Sequence, residues 1–218
     1  MEIIKTKDLT FHYKNNPKTI LDSISLDIYE GDFILLFGPS GCGKTTLLKH
    51  LKHLIAPVGT VSGDIYFHGK PINEVSERSL VSDIGFVFQN PESQIVCDFP
   101  FAEMAFGLEN LGFSSNEIRR RVAEMASFFG IENYFEKDIN TLSGGQKQLL
   151  NLASIMVMQP SVLLLDEPTS MLDPVCTGEF FSIINKINKE LGLTVIICEH
   201  QLEAIYPIVD KVCYLENG

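Results

Sequence analysis

Gly38-Pro39-Ser40-Gly41-Cys42-Gly43-Lys44-Thr45, set directly after the apolar run Phe33-Ile34-Leu35-Leu36-Phe37, constrains this chain more than any other segment. A buried strand followed by glycines, a lysine and a hydroxyl residue is the phosphate-binding P-loop pattern in the context that pattern requires. Glycines let the loop fold back so that backbone N–H groups point inward, and a helix opening near Lys44 presents its positive dipole end to phosphate. Lys44 would reach the β and γ phosphates of a nucleoside triphosphate, and the Thr45 hydroxyl would sit where Mg²⁺ must sit. Thr46-Leu47-Leu48-Lys49-His50-Leu51 continues as a helix with Leu47, Leu48 and Leu51 toward the core.

The 218 residues, 45% hydrophobic and 21% charged, suit one globular domain with a substantial core and room for a small subdomain. Seventeen Lys and Arg against 28 Asp and Glu leave a formal net charge of -11, which argues against the broad basic surface of a nonspecific nucleic-acid binder. Stretches such as Val162-Leu163-Leu164-Leu165 and Val195-Ile196-Ile197 are strand-sized, far short of the roughly eighteen residues that span a bilayer. The N-terminal residues alternate early and carry no long apolar segment of the secretory kind. Five scattered cysteines, Cys42, Cys97, Cys176, Cys198 and Cys213, lack metal-ligand or redox spacing, and a reduced cytosolic setting is expected.

Short β segments are expected at Ile3-Ile4, Leu9 to Tyr13 and Ile24 to Ile28, punctuated by Asn15-Asn16-Pro17 and Glu30-Gly31-Asp32. They predict a small, largely antiparallel sheet. Two more strand-like pieces fall between Val58 and Tyr66, before a turn at Phe67-His68-Gly69-Lys70, and Ile84 to Phe88 resumes a buried-strand pattern. From Phe101 to about Gly130 the period is helical, broken at Gly112 and at Ser114-Ser115, where either serine can cap the helix of residues 116–129. This reads as an inserted helical subdomain over about 91–150. A helix start at Ser143, a strand from Val162, a helix from about Thr177 to Leu191 and a strand from Thr194 to Cys198 complete the pattern. Strands alternating with helices around a P-loop predict an α/β fold with a parallel, RecA-like P-loop NTPase core.

The strand Val162-Leu163-Leu164-Leu165 ends in Asp166-Glu167, two carboxylates that are costly at a buried terminus unless they act. Asp166 would hold Mg²⁺ through water, and Glu167 would polarise the water that attacks the γ-phosphate. A P-loop alone leaves kinases, small GTPases, helicases and transport ATPases open. Thr141-Leu142-Ser143-Gly144-Gly145-Gln146-Lys147-Gln148 resembles the LSGGQ signature of ATP-binding cassette (ABC) ATPases and falls where a helix begins, its backbone donors suited to a γ-phosphate. The resemblance extends to Ser170-Met171-Leu172-Asp173 as the D-loop. It makes Gln89 the Q-loop glutamine that contacts Mg²⁺ or the attacking water, and His200 the switch histidine that contacts γ-phosphate and braces Glu167. It makes Tyr13, 25 positions before Gly38, the aromatic that stacks on adenine.

These motifs run from Tyr13 to His200, so the resemblance to ABC ATPases covers nearly the whole chain, residues 1–218, as a single ATPase domain. It implies a head-to-tail dimer in which ATP with Mg²⁺ is held between the P-loop of one subunit and Ser143, Gly144, Gly145 and Gln146 of the other. Phe88 to Ile95, Ala105 to Gly112 and Glu199 to Glu203 look like the energy-coupling factor branch, which powers uptake of vitamins and of cobalt or nickel. In such systems two ATPase subunits, alike or paralogous, dock at the cytoplasmic face of the membrane on a coupling subunit that joins a substrate-binding membrane subunit. Residues near Asn90 to Gln94 and Phe99 to Phe106 would form the docking groove, although Phe99 and Phe101 fit a subdomain core equally well. The other reading is a non-transport ABC protein that uses ATP as a conformational switch on ribosomes or DNA. Two departures stand out. Leu149 replaces the arginine usual after LSGGQKQ, and the sequence stops at Gly218, where many relatives continue into a region that assists dimerisation. A shortened form, half of a tandem protein and a naturally short form all fit, and strong isolated dimerisation is not expected.

Overall fold

Alternating strands and continuously apolar strands go to two different sheets in the computed structural model, which describes residues 1–14 and 18–218. The turn expected at Asn15-Asn16-Pro17 lies outside the described residues. Strands β1 (Glu2–Tyr13) and β2 (Leu21–Tyr29) are followed by β3 (Phe33–Phe37), helix α1 (Lys44–Leu51), β4 (Gly59–Phe67) and the short β5 (Lys70–Pro71). Next come α2 (Glu77–Asp83), β6 (Ile84–Val87), α3 (Pro100–Asn110), α4 (Ser115–Phe129) and α5 (Gly144–Met156). The chain then runs through β7 (Val162–Asp166), α6 (Pro174–Leu191), β8 (Thr194–Cys198), α7 (Leu202–Ile205) and β9 (Lys211–Tyr214).

The first sheet is antiparallel in the order β2-β1-β4-β5, and the second is parallel in the order β6-β7-β8-β3-β9. The expected segments Ile3-Ile4 and Leu9 to Tyr13 are one strand, irregular in register between Lys7 and Thr10. Asp8 has φ 47 there, and Gly63 on the facing strand has φ 83. A Cβ on Gly63 would lie 2.3 Å from the Asp8 carbonyl oxygen, so the bulge closes only over glycine. Likewise the two pieces expected between Val58 and Tyr66 are the single strand β4.

Because side chains alternate along a strand, the parallel sheet separates two apolar layers. Phe33, Leu35, Leu163, Leu165, Val195 and Ile197 pack with Met104 and Leu108 of α3, Val122 of α4, Leu150 of α5 and Phe180 of α6. Ile34, Leu36, Val162, Leu164 and Ile196 face the other way, onto Leu47, Leu48 and Leu51 of α1 and onto Phe11, Leu21 and Ile28 of the antiparallel sheet. Each such side chain contributes about 1.5–3 kcal/mol by leaving water, which fixes these strands far more firmly than strand propensity does.

Helices α3 and α4 pack on one another and on α5. Ser114, rather than Ser115, caps α4, its hydroxyl accepting the Glu117 N–H, and Gly130 ends the helix in the left-handed conformation at φ 66. Phe99 and Phe101 are solvent-exposed, with the Phe101 ring edge-on to Phe135 at 6.0 Å. None of the helices is long and apolar enough to cross a membrane among the described residues.

Candidate functional site

The parallel register brings four loops to one rim. Leu36 lies beside Cys198, Cys198 beside Asp166, and Leu165 beside Val87. The segments that follow β3, β8, β7 and β6 therefore emerge together at the carboxyl ends of the strands, where α/β sheets place ligands. The strand ends and the segments after them carry residues 38–45, Glu199-His200, Asp166-Glu167 and Gln89.

Gly43 stands at the N-cap of α1 with φ 111 and supplies no side-chain cap. A Cβ there would lie 2.7 Å from the Ile20 carbonyl oxygen. The first-turn N–H groups of Lys44, Thr45 and Thr46 thus have no intrahelical acceptor and open the positive end of the helix to an anion. The Lys44 ammonium is buried and donates to the carbonyls of Gly38 at 2.9 Å and Pro39 at 3.0 Å, which holds it under the loop formed by Pro39, Ser40, Gly41 and Cys42. Tyr13 is 39% exposed, with its ring edge-on to Phe11 and its hydroxyl 3.4 Å from the Thr46 hydroxyl. Tyr13, Gly41, Lys44, Thr45, Thr46 and Glu167 line one cleft.

Thr45 donates its hydroxyl to Asp166 at 2.8 Å. Burial pushes the Asp166 carboxyl above its ordinary range; the Thr45 hydrogen bond opposes the rise and the neighbouring Glu167 charge adds to it. A cation is the natural counterpart of such a carboxylate. Two oxygens are too few to hold one, however, and among the described residues no group of three His, Cys, Asp or Glu side chains is placed for a metal. The donor set fits Mg²⁺, which binds through one or two protein oxygens and takes the rest from phosphate and water.

Glu167 adopts φ 46, an unfavourable conformation for a residue with a side chain. Its N–H donates to the Cys198 carbonyl at 2.9 Å, and its carboxylate is engaged at both oxygens. Gln89 donates its amide to one at 3.1 Å and His200 Nε2 lies 2.8 Å from the other. Since an ionised carboxylate only accepts, the second bond puts a proton on His200 Nε2. Gln89 is thus turned to Glu167, and no hydrogen bond joins it to Thr45 or Asp166 among the described residues.

Ser143, Gly144, Gly145 and Gln146 belong to another surface. Ser143 caps α5 through a capping box, accepting the Gln146 N–H at 3.3 Å while Gln146 Oε1 accepts the Ser143 N–H at 2.9 Å. Ser143, Gly145 and Gln146 line a cleft with Leu149, Leu172 and Cys176, separate from that of the P-loop. Asp173 caps α6, its carboxylate accepting the N–H groups of Val175 at 2.9 Å and Cys176 at 3.0 Å. A single chain therefore assembles Tyr13, the P-loop, Asp166, Glu167, Gln89 and His200 around one cleft, and holds the Ser143 segment and Asp173 apart from it.

Two residues at this rim were read from sequence only as parts of motifs, with no role of their own. Glu199 is a buried carboxylate whose Oε1 accepts from the N–H of Thr169 at 3.2 Å and from the Thr169 hydroxyl. Its Oε2 accepts from the N–H groups of His200 at 2.8 Å and Gln201 at 3.3 Å. It stitches the segment after Glu167 to the turn that carries His200. Gln148 is the other. The available signal was chemical: an acid or amide inside an apolar pattern needs polar partners.

A parallel sheet with this loop on β3 and an acid pair at the end of β7 defines a P-loop NTPase. Residues 21–170 match the sequence profile of the ABC transporter family, and the chain belongs to that family. It is 46% identical over 212 residues to a protein of Bacillus anthracis provisionally named an ABC transporter ATP-binding protein, a match covering 97% of this chain and 38% of that one. A Methanosarcina acetivorans protein with the same provisional name is 36% identical over 216 residues, covering 99% of this chain and 65% of the relative. The chain thus spans about two-fifths of the length of the first relative and about two-thirds of the second. Among solved structures, CbiO1 from Clostridium perfringens, described as part of the ABC transporter complex CbiONQ, is 34% identical with a TM-score of 0.88, covering 100% of this chain and 86% of that one. The ATP-binding cassette MJ0796, as a dimer in a post-hydrolysis state with ADP and Pi, is 28% identical with a TM-score of 0.84, covering 99% and 95%.

Proposed function

We propose that this chain is the ATP-hydrolysing subunit of an ABC membrane transporter, and that it works as a head-to-tail dimer. The observation that carries the reading is the Glu167 carboxylate, held at both oxygens by Gln89 and His200 beside the Thr45–Asp166 pair and the P-loop. Residues 1–218 act as one ATPase domain, with about 91–150 as its helical subdomain. Tyr13 stacks on adenine. Backbone N–H groups among residues 38–46, Pro39 having none, and the Lys44 ammonium take the phosphates. Thr45, Gln89 and, through water, Asp166 hold Mg²⁺. When bound, that ion neutralises charge on the β and γ phosphates.

Glu167 accepts a proton from the attacking water, with His200 steadying its carboxylate and contacting γ-phosphate, and Gln89 orienting the water. Ser143, Gly144, Gly145 and Gln146 of the partner subunit close the site, and the Asp173 segment passes between the two nucleotides. The separation of the Ser143 cleft from the P-loop cleft supports this, because a single chain leaves the γ-phosphate side of its loop open. ATP then joins the subunits and its cleavage weakens the interface.

The transporter is an energy-coupling factor importer of a vitamin or transition metal. Likeness to CbiO1 supports this branch, as do the Phe88 to Ile95 and Glu199 to Glu203 segments and the exposure of Phe99, Phe101 and Phe106, which belong to the segment expected to form the docking groove. The second ATPase subunit is an identical or paralogous chain, and the membrane partners are a coupling subunit and a substrate-binding subunit at the cytoplasmic face. No nucleic acid is needed. Affinity purification of the tagged protein from detergent-solubilised cells tests the reading: a multispanning coupling protein and a small membrane protein are expected with it. Recovery with ribosomes instead would overturn it.

A further inference from the structure

Gln148, on the second turn of α5, is completely buried, and its amide nitrogen faces two carbonyls at once. It donates to Pro168 at 2.8 Å and to Phe88 at 3.3 Å. An amide nitrogen carries two hydrogens, so both bonds form together. The two acceptors are not arbitrary. Phe88 precedes Gln89, Pro168 follows Glu167, and Gln89 and Glu167 are themselves hydrogen-bonded at 3.1 Å. One side chain therefore pins the backbone on both sides of that pair. Two further bonds from the same helix hold the segment after Gln89: Lys147 to Glu92 at 2.7 Å and the Asn151 amide to the Pro91 carbonyl at 3.2 Å. Only Gln148 also reaches the Glu167 side among the described residues.

Glu167 makes such a tether consequential. Its φ of 46 persists only where the surroundings over-determine it. Buried carbonyls that lose their donors recover them by moving toward water, and movement of the Phe88 or Pro168 carbonyl shifts Gln89 or Glu167 with it.

We infer that Gln148 is a positioning residue: it ties the helix that begins at Ser143 to the Gln89–Glu167 pair of the same subunit and so sets the geometry in which Glu167 meets water. The inference deepens the ATPase reading and in its kinetic part rests on it. Gln148→Met, similar in length and without donors, should lower kcat by about tenfold or more while ATP affinity stays within about twofold. In a Gln89→Ala background the same change should cost less than it does alone, because one of the two groups it positions is gone. Equal losses in kcat and ATP affinity, or losses that multiply in the double variant, would overturn the inference.

Hydrogen exchange supplies a readout independent of turnover. Gln148→Met should speed exchange at residues 88–91 and 167–170 and leave residues 44–51 unchanged; unchanged exchange at both segments would overturn the inference. If Gln148→Met fails to fold, Gln148→Leu, also without donors and without a buried charge, is read in the same way. Absence of hydrolysis in the unaltered protein would sink the ATPase reading, while the exchange experiment would still decide the tether.

Discussion

At the scale of single residues, the site is a set of charges whose costs are met locally. Lys44 is buried against its own loop carbonyls, so the ammonium is in place before any nucleotide arrives. Lys44→Ala should weaken ATP binding by about tenfold or more, the loss expected when a charged hydrogen-bond donor is removed, as read by titration with a fluorescent nucleotide. Asp166 carries the opposite imbalance. Its carboxyl is raised by burial, so the folded protein binds its proton more tightly than the unfolded chain does. Stability from this group is complete below the unfolded carboxylate range and is lost as pH rises through the folded pKa. Asp166→Asn should therefore stabilise the nucleotide-free protein to urea at pH 7–8, with the gain fading below about pH 4; an equal gain at both pH values would contradict the burial argument. The residues that touch substrate in the proposed mechanism could be proposed from the sequence because each sits at a fixed place beside a strand end or, for Ser143 to Gln146, at a helix start. Glu199 and Gln148 could not be, because each joins segments brought together only by folding, with partners such as Thr169, Pro168 and Phe88 that lie 20 to 60 positions away.

At the scale of elements, legibility followed burial. The runs at Phe33–Phe37, Val162–Asp166 and Thr194–Cys198 are buried throughout or nearly so, and their apolar residues announce them. Helix α2, strand β9 and the very short β5 and α7 went unread. Helix α2 buries only Leu80, and β9 is an edge strand with no fully buried residue, so neither leaves a periodic mark. Helix α6 starts at Pro174, three residues before the expected Thr177, because Asp173 and Pro174 set its end while its first buried side chain is Thr177. Capping explains α4 as well. Its Ser114 hydroxyl accepts the Glu117 N–H and lies 3.1 Å from the Glu117 carboxylate, exposed and remote in sequence from every cleft residue named above. Ser114→Ala should cost about 1 kcal/mol in chemical denaturation and leave ATP affinity unchanged; no loss of stability would show that the cap is replaced by water.

At the scale of the molecule, the fold gathers the P-loop cleft at one surface and displays the Ser143 cleft at another, the two halves of the proposed site. The carboxyl rim of the parallel sheet collects Lys44, Thr45, Asp166, Glu167, Gln89 and His200, while the capped start of α5 places Ser143, Gly144 and Gly145 at a separate surface. In the proposed dimer a chain built this way completes its chemistry against a second subunit, and the net charge of -11 makes that association sensitive to the ions bound at the interface. The molar mass of Glu167→Gln in solution, measured by light scattering with Mg²⁺ and saturating ATP and again with ADP, tests this most directly. Twice the monomer mass in ATP and the monomer mass in ADP is the predicted result; the same mass with both nucleotides would contradict the shared site.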